Sequence, residues 1–213
     1  MLIKVCGLST SETIAAAAAA GATHIGLVHF AASPRHLSLP MAASLRVQAP
    51  QSVKTVVLLV DPDDSVIAAT LDQIKPDVIQ LHGKETPEQA AKLRQLGGIE
   101  VWKALSVRSA QSLAEAARYA GAVDRVLFDA PPPSGSTLPG GNGEAFDWTL
   151  LKGHTHRTPW GLAGGLTPDN VAEAIRATGA PLVDASSGLE SAPGIKDAGK
   201  IVAFCKAARE AGR

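Results

Sequence analysis

Short apolar runs rich in β-branched residues alternate with longer, alanine-rich segments along the whole chain. The runs predict eight strands, at Leu2–Gly7, His24–His29, Lys54–Val60, Val78–Gly83, Glu100–Val107, Arg125–Ala130, Trp160–Gly165 and Pro181–Ser187. Patterns typical of amphipathic helices separate these runs. Because β-then-α units follow one another with no change of composition, the pattern predicts an α/β fold with a parallel sheet.

Capping signals set the expected limits of several helices. Hydroxyl side chains precede the helical patterns, and in two cases proline follows in the first helical position. These starts are Thr10-Ser11, Thr86-Pro87 and Thr167-Pro168, and the expected stops are Gly21, Gly97 and Gly179. The alanine run Ala15–Ala20 predicts a helix that lies close against the sheet.

A closed eight-stranded (β/α)8 barrel and an open doubly wound sheet both fit this order of elements. The open sheet normally has a glycine-rich dinucleotide turn after its first strand, and Val5–Ser9 is not such a turn. We therefore predict one TIM-barrel domain over residues 1–213, with its active site at the carboxyl ends of the strands. The irregular segment Pro131–Gly143 follows the sixth strand and is expected to be a lid or binding loop, with a surface insertion as the alternative.

Composition excludes some classes of partner and leaves others open. Basic and acidic residues number 20 each, so neither a nucleic-acid groove nor a polybasic membrane patch is expected. We read no signal peptide or membrane span, and Cys6 and Cys205 make no disulfide framework, so a cytoplasmic protein is expected. The histidines lack metal-ligand spacing, which predicts that no metal is bound. A small anionic ligand remains compatible with this composition.

Two candidate catalytic residues end predicted strands. Cys6 shares a strand face with Lys4, so it should point inward at the barrel mouth; the alternative is an inert buried cysteine. Asp129 directly follows an apolar run, where a partly desolvated carboxyl group can act as a general acid. A helix cap or an ion pair is the alternative for Asp129. Lys4 and Asp184 should also face inward on neighbouring strands and form an ion pair.

Two further segments predict an anion site. Gly164-Gly165 and Ser186-Ser187-Gly188 end the seventh and eighth strands, where barrels commonly bind phosphate through backbone N–H groups. Tight turns that need glycine are the alternative explanation. Arg35, in the loop after the second strand, carries a guanidinium fork suited to a planar carboxylate.

These pieces together resemble the phosphoribosylanthranilate isomerase family over nearly the whole chain. The matching segments are Ile3–Gly7, Ser33–Arg35, Gln80–Gly83, Leu127–Asp129, Gly140–Gly143, Phe146–Trp148, Ala163–Leu166, Asn170-Val171, Val183–Glu190 and Pro193–Asp197. Asn142, His29 and Ala185 depart from residues that are common in the family, which affects details of loop contacts.

The resemblance implies an Amadori rearrangement in tryptophan biosynthesis, with no cofactor. Asp129 would protonate the ribose ring oxygen, and Cys6, as a thiolate, would then remove the C2′ proton. The resemblance also implies that Arg35 holds the anthranilate carboxylate and that Gly164, Gly165, Ser187 and Gly188 hold the phosphate. The further substrate-binding residues that it implies are His82, Gly141, Gly143 and Ser186. The expected assembly is a monomer or homodimer. Another phosphosugar isomerase or epimerase on the same barrel, or a non-catalytic phosphometabolite-binding barrel, are the rival hypotheses.

Overall fold

Eight parallel strands close into a barrel in the order in which they occur along the chain. The structure is a computed structural model that describes residues 1–131, 140–141, 146–153 and 157–212. The barrel strands are β1 Leu2–Cys6, β2 His24–Val28, β3 Lys54–Leu59, β4 Val78–Leu81, β5 Glu100–Ser106, β6 Arg125–Asp129, β7 Trp160–Leu162 and β8 Leu182–Ala185. Pairing of β1 with β8 closes the barrel and brings Lys4 opposite Asp184. The predicted closed barrel is confirmed.

Helices follow most strands and pack on the outside of the barrel. They are α1 Ser11–Ala19, α2 Leu39–Gln48, α3 Asp64–Gln73, α4 Pro87–Gln95, α5 Ala110–Ala116, α6 Val171–Thr178 and α7 Ala198–Ala211. The Thr10 and Thr86 side chains cap α1 and α4 as expected, and α6 ends at the left-handed Gly179. A short antiparallel hairpin, β9 Glu190–Ala192 and β10 Ile195–Lys196, follows β8.

Two helix predictions were wrong. Thr167 does not cap a helix, because the Asn170 side chain accepts from the Thr167 N–H and donates to the Gly165 carbonyl. These two bonds hold residues 167–170 in a loop, so α6 begins only at Val171. Between β6 and β7, the described residues contain a 3₁₀ turn, Trp148–Leu151, in place of an α-helix. Most of the predicted lid or binding loop, Pro131–Gly143, lies outside the described residues.

Side chains inside the barrel form layers of different character. A lower apolar layer is built from Val56, Val78, Trp102, Ala104, Leu127 and Leu182. Below it, His24 and Arg125 pack against the Trp102 ring, and the His24 ring centroid lies 5.1 Å from that of Trp102. Lys4, Gln80 and Asp184 are buried polar residues nearer the mouth. The layers therefore place polar groups at the carboxyl ends of the strands and an apolar plug beneath them.

The outer core lies between the strands and the helices. Ile3 and Val5 belong to it, which confirms that their faces of β1 point away from the barrel axis. In the described part of the chain, no helix combines the length and the apolar character required to cross a membrane.

Candidate active site

A cavity of about 670 Å³, including its open mouth, lies at the carboxyl ends of the barrel strands. Nine of the predicted site residues line it: Cys6, Arg35, His82, Asp129, Gly141, Gly164, Gly165, Ser186 and Ser187. Gly143 lies outside the described residues. The barrel thus gathers groups that are far apart in the sequence at a single site.

Cys6 ends β1 with its side chain inside the barrel, in an apolar cluster with Val28 and Leu58. Gly26 on β2 is paired with Cys6, and a Cβ at Gly26 would come within 2.6 Å of the Cys6 sulfur. Only glycine therefore leaves room for this sulfur. Lys4 and Lys196 both interact electrostatically with Cys6, so two buried ammonium groups lie near its sulfur.

Asp129 ends β6, and both of its carboxylate oxygens are engaged. Oδ1 accepts from the Ala130 N–H at 2.8 Å, and Oδ2 lies 3.1 Å from His82 Nε2. Gln80 Nε2 lies 3.4 Å from His82 Nδ1, and donation from the amide to Nδ1 leaves the proton of a neutral imidazole on Nε2. Asp129 thus has His82 as a hydrogen-bond partner within the cavity, and with that ring neutral the contact is not an ion pair. Gly140 covers this pair, because a Cβ there would lie 2.6 Å from Oδ2.

The loops after β7 and β8 form one side of the cavity. Gly164 and Gly165 adopt φ values of 81° and 63°, a region that disfavours other residues. Ser186 and Ser187, from the loop after the neighbouring strand β8, line the same cavity. Gly188, also predicted to bind the phosphate, is not among the residues that line the cavity. It lies against the Leu166 carbonyl oxygen, to which a Cβ would come within 2.1 Å, so glycine is needed there for packing.

Arg35 is held by the hairpin that follows β8. Its Nε and Nη2 donate to the two carboxylate oxygens of Glu190, at 2.7 and 2.9 Å, and Nη2 also reaches the Gly141 carbonyl. Burial opposes the charge of Glu190, but the hydrogen bonds from Arg35 and Lys196 lower its pKa overall. Most of the guanidinium N–H groups that were expected to bind a ligand therefore donate to Glu190 and Gly141 instead. Arg35 Nη1, which donates to no other described residue, is the part left for a ligand.

The predicted ion pair of Lys4 and Asp184 is confirmed, with a distance of 2.7 Å between Nζ and Oδ2. Burial opposes the charge on Lys4, but the Asp184 carboxylate beside it raises the pKa of Lys4 overall. Asp184 also lines the cavity, one step below Ser186 on the same strand face.

Sequence reasoning missed several functional residues. These are Gly26, Gln80, Gly140, Glu190 and Lys196. Gln80 could have been found, because it shares a strand face with His82. The partnership of Glu190 with Arg35 spans 155 residues and leaves no local signal. In the described ranges, no group of His, Cys, Asp and Glu side chains is arranged to hold a metal ion.

Comparisons with known proteins agree with this site. Residues 3–207 match the model of the N-(5′-phosphoribosyl)anthranilate (PRA) isomerase family. The N-(5′-phosphoribosyl)anthranilate isomerase of Erythrobacter litoralis is 61% identical over 210 residues, covering 99% of each chain. That of Rhodospirillum centenum is 51% identical, covering 97% of this chain and 98% of the relative.

Solved structures show the same fold. The phosphoribosyl anthranilate isomerase of Thermotoga maritima superposes with a TM-score of 0.89 at 30% identity, covering 99% of each chain. Another phosphoribosyl anthranilate isomerase, bound to reduced 1-(o-carboxyphenylamino)-1-deoxyribulose 5-phosphate, gives a TM-score of 0.86 at 30% identity, covering 99% of this chain and 100% of that one. The chain therefore belongs to the N-(5′-phosphoribosyl)anthranilate isomerase family.

Proposed function

We propose that Cys6 and Asp129 are the general base and general acid with which this chain isomerises N-(5′-phosphoribosyl)anthranilate. The observation that carries the proposal is that both side chains end barrel strands and line one cavity, together with the Gly164-Gly165 loop. A non-catalytic phosphate-binding barrel would have no use for an acid and a base at its mouth. The product is 1-(o-carboxyphenylamino)-1-deoxyribulose 5-phosphate.

Ring opening is the first step. Asp129 gives its proton to the ribose ring oxygen, the C1′–O bond breaks, and the lone pair of the substrate nitrogen forms a Schiff base. Negative charge develops on Asp129 as its proton leaves. The adjacent Ala130 N–H and the His82 ring, at 2.8 and 3.1 Å, are positioned to stabilise that charge.

Proton abstraction is the second step. The Cys6 thiolate removes the proton from C2′, and the C–H electrons form a C1′–C2′ double bond while the nitrogen of the Schiff base is neutralised. The resulting enolamine tautomerises to the ketone. The substrate nitrogen serves as the electron sink, and the ammonium groups of Lys4 and Lys196 lie near the sulfur that takes the proton.

Substrate binding uses the two ends of the cavity. The phosphate is proposed to bind the backbone N–H groups of Gly164 and Gly165 together with Ser187, because positive φ angles and small residues allow close approach. The anthranilate carboxylate is proposed to bind Arg35 Nη1. Glu190 holds the rest of that guanidinium group, so the arginine is fixed in place before the substrate arrives.

The test is turnover, followed by the loss of anthranilate fluorescence, in the wild-type chain and in Cys6→Ser and Asp129→Asn. We expect each variant to fold and to lose about two to four orders of magnitude in kcat. Cys205→Ser is the matched control, because Cys205 is buried in α7 away from the cavity. Near-normal turnover in either active-site variant would exclude the assigned role, and no turnover in the wild-type chain would exclude the function.

We also infer a cytoplasmic location and a monomeric or homodimeric assembly. One solved structure shows monomers that were generated from the dimeric phosphoribosylanthranilate isomerase of Thermotoga maritima. Light scattering of the purified chain, coupled to size-exclusion chromatography, distinguishes the two assemblies.

A further inference from the structure

A buried ion pair outside the barrel lumen has no part in the proposed chemistry. It joins Lys103 of β5 to Glu85, in the loop after β4; the side chains are 1% and 5% exposed, and Nζ lies 3.0 Å from Oε2. Trp102 and Ala104 belong to the apolar layer inside the barrel, so the alternation of β5 places Lys103 on the outer face. Neither Lys103 nor Glu85 is among the described residues that line the active-site cavity.

The pair binds the backbone of the loops after β3 and β4. Glu85 accepts from the N–H groups of Asp61 and Gly83, at 2.8 and 2.9 Å. Lys103 donates to the Gly83 carbonyl at 2.8 Å, so both polar backbone groups of Gly83 are bound by the pair. Stability alone is a weak reason for a buried ion pair, because desolvation can cancel the attraction of the charges. These backbone contacts supply another reason.

Two features show how closely the loops fit together. A Cβ at Gly83 would collide with the Asp61 carboxylate, so only glycine fits there. Asp61 has a φ of 45°, a left-handed conformation that is uncommon for residues other than glycine. Such a conformation persists only where the surrounding contacts impose it, and the bond between the Asp61 N–H and Glu85 is one of these contacts.

Gly83 directly follows His82, whose ring lies beside the proposed general acid. The Gly83 N–H belongs to the same peptide unit as the His82 carbonyl, so the bond to Glu85 also fixes the backbone of His82. Side-chain contacts of the ring are less restrictive. Its Nε2 lies 3.1 Å from Asp129 Oδ2, and its Nδ1 lies 3.4 Å from Gln80 Nε2, which is long for a hydrogen bond. The backbone therefore contributes much of what locates the ring.

We propose that Glu85 and Lys103 are positioning residues that keep the His82 ring within hydrogen-bonding distance of Asp129 during turnover. This inference rests on the proposed function, in which the ring stabilises the charge that develops on Asp129. A displacement of about 1 Å would break the bond from Nε2, and a misplacement of that size can lower a rate by about 100-fold. The pair acts through the backbone of Gly83 and touches no reacting atom.

The test compares kcat and KM in the wild-type chain, in Lys103→Met with Glu85→Gln, in His82→Leu, and in the triple variant that combines them. The double variant removes both charges together, so no buried ion is left unpaired. We expect its kcat to fall by about 10- to 100-fold, with KM within about twofold of the wild-type value. The kcat of His82→Leu should fall by about 100- to 1000-fold, the range for one lost donor at a developing charge.

The triple variant should have the same kcat as His82→Leu, because a ring that is absent cannot be displaced. A purely structural role would lower kcat by the same factor with and without the ring, and that result would overturn the proposal. An unchanged kcat in the double variant would also overturn it. Lys92→Met with Asp64→Asn is the matched control, since this pair joins α3 to α4 but is exposed. Its kcat should equal that of the wild-type chain.

NMR of the histidine rings measures the displacement without turnover. In protein labelled with ¹⁵N-histidine, the ring signals of His82 are assigned by their absence in His82→Leu. They should shift or broaden in the double variant, whereas the signals of His24, at the amino ends of the strands, should not change. Unchanged His82 signals would overturn the proposal. Because this measurement needs no substrate, it separates a failure of the positioning role from a failure of the proposed function, which wild-type turnover tests.

Glu85→Asp covers the case in which the double variant fails to fold. It keeps both charges but withdraws the carboxylate by one methylene group from the N–H groups that it binds. Its kcat should fall by about 10-fold when His82 is present and should not fall further in His82→Leu. An equal loss in the two backgrounds would overturn the proposal.

Discussion

Replacing Asp184 with alanine should destabilise the protein strongly, because the buried ammonium group of Lys4 would lose its counter-charge. The Lys4 side chain is fully buried, and its Nζ donates to Asp184 Oδ2 at 2.7 Å. Removing one partner of such a pair typically costs about 3–5 kcal/mol. We expect a loss of this size in the free energy of unfolding, measured by urea denaturation with tryptophan fluorescence.

The double variant Lys4→Met with Asp184→Leu separates this cause from a simple loss of packing. Because both charges leave together, no ion remains without a partner, and its stability should return to near or above that of the wild-type chain. Asp64→Ala is the control for ion pairs in general, since the pair of Asp64 and Lys92 is exposed, with 81% and 69% of the side chains accessible. It should leave the unfolding midpoint almost unchanged. A double variant as unstable as Asp184→Ala would refute the reasoning.

Three further predictions follow from the buried groups. Glu190→Gln should raise KM, because it removes the carboxylate that holds Arg35; an unchanged KM in steady-state kinetics would contradict this. Alkylation at pH 8 should modify Cys6 and spare Cys205, since burial raises the pKa of Cys205 to about 11; peptide mass spectrometry tests the selectivity. Burial lowers the pKa of His24 from 6.5 to about 4. Between these two pH values the unfolded state therefore binds more protons than the folded state, so the free energy of unfolding falls as the pH drops from 6.5 to 4. Between pH 7 and 4.5 the loss is about 2 kcal/mol, and His24→Asn should lack it in urea denaturation; an equal loss in both proteins would exclude the assignment.

The fold could be predicted because its signals are local. Strands fully buried in a parallel barrel appear as continuous apolar runs, and Thr10 and Thr86 mark their helices through bonds to nearby backbone N–H groups. The start of α6 was mispredicted because Thr167-Pro168 carries the same local signal while the Asn170 side chain holds the loop in another conformation. The sequence allows either a helix capped by Thr167 or a loop closed by the Asn170 side chain. The residue types alone do not specify which of the two forms.

The site was predictable only as far as strand ends identify it. Cys6, Asp129 and the loops after β7 and β8 follow from the rule that barrel enzymes bind at the carboxyl ends of their strands. The contacts that control these residues follow from three-dimensional packing. The space that Gly26 leaves beside Cys6 and the bond between Arg35 and Glu190 join segments with no pattern in common.

Buried charges surround the two side chains that are proposed as the base and the acid. Cys6 lies near the ammonium groups of Lys4 and Lys196, while Asp129 lies across the cavity beside His82. Each lysine is in turn neutralised by a carboxylate, Asp184 for Lys4 and Glu190 for Lys196. Glu190 also binds Arg35, so Arg35 and Lys196 share one carboxylate, whereas Lys4 and Asp184 form a separate pair. Lys4→Met with Asp184→Leu removes the ammonium group of Lys4 without leaving another charge unpaired, so its kcat should fall while its stability is retained.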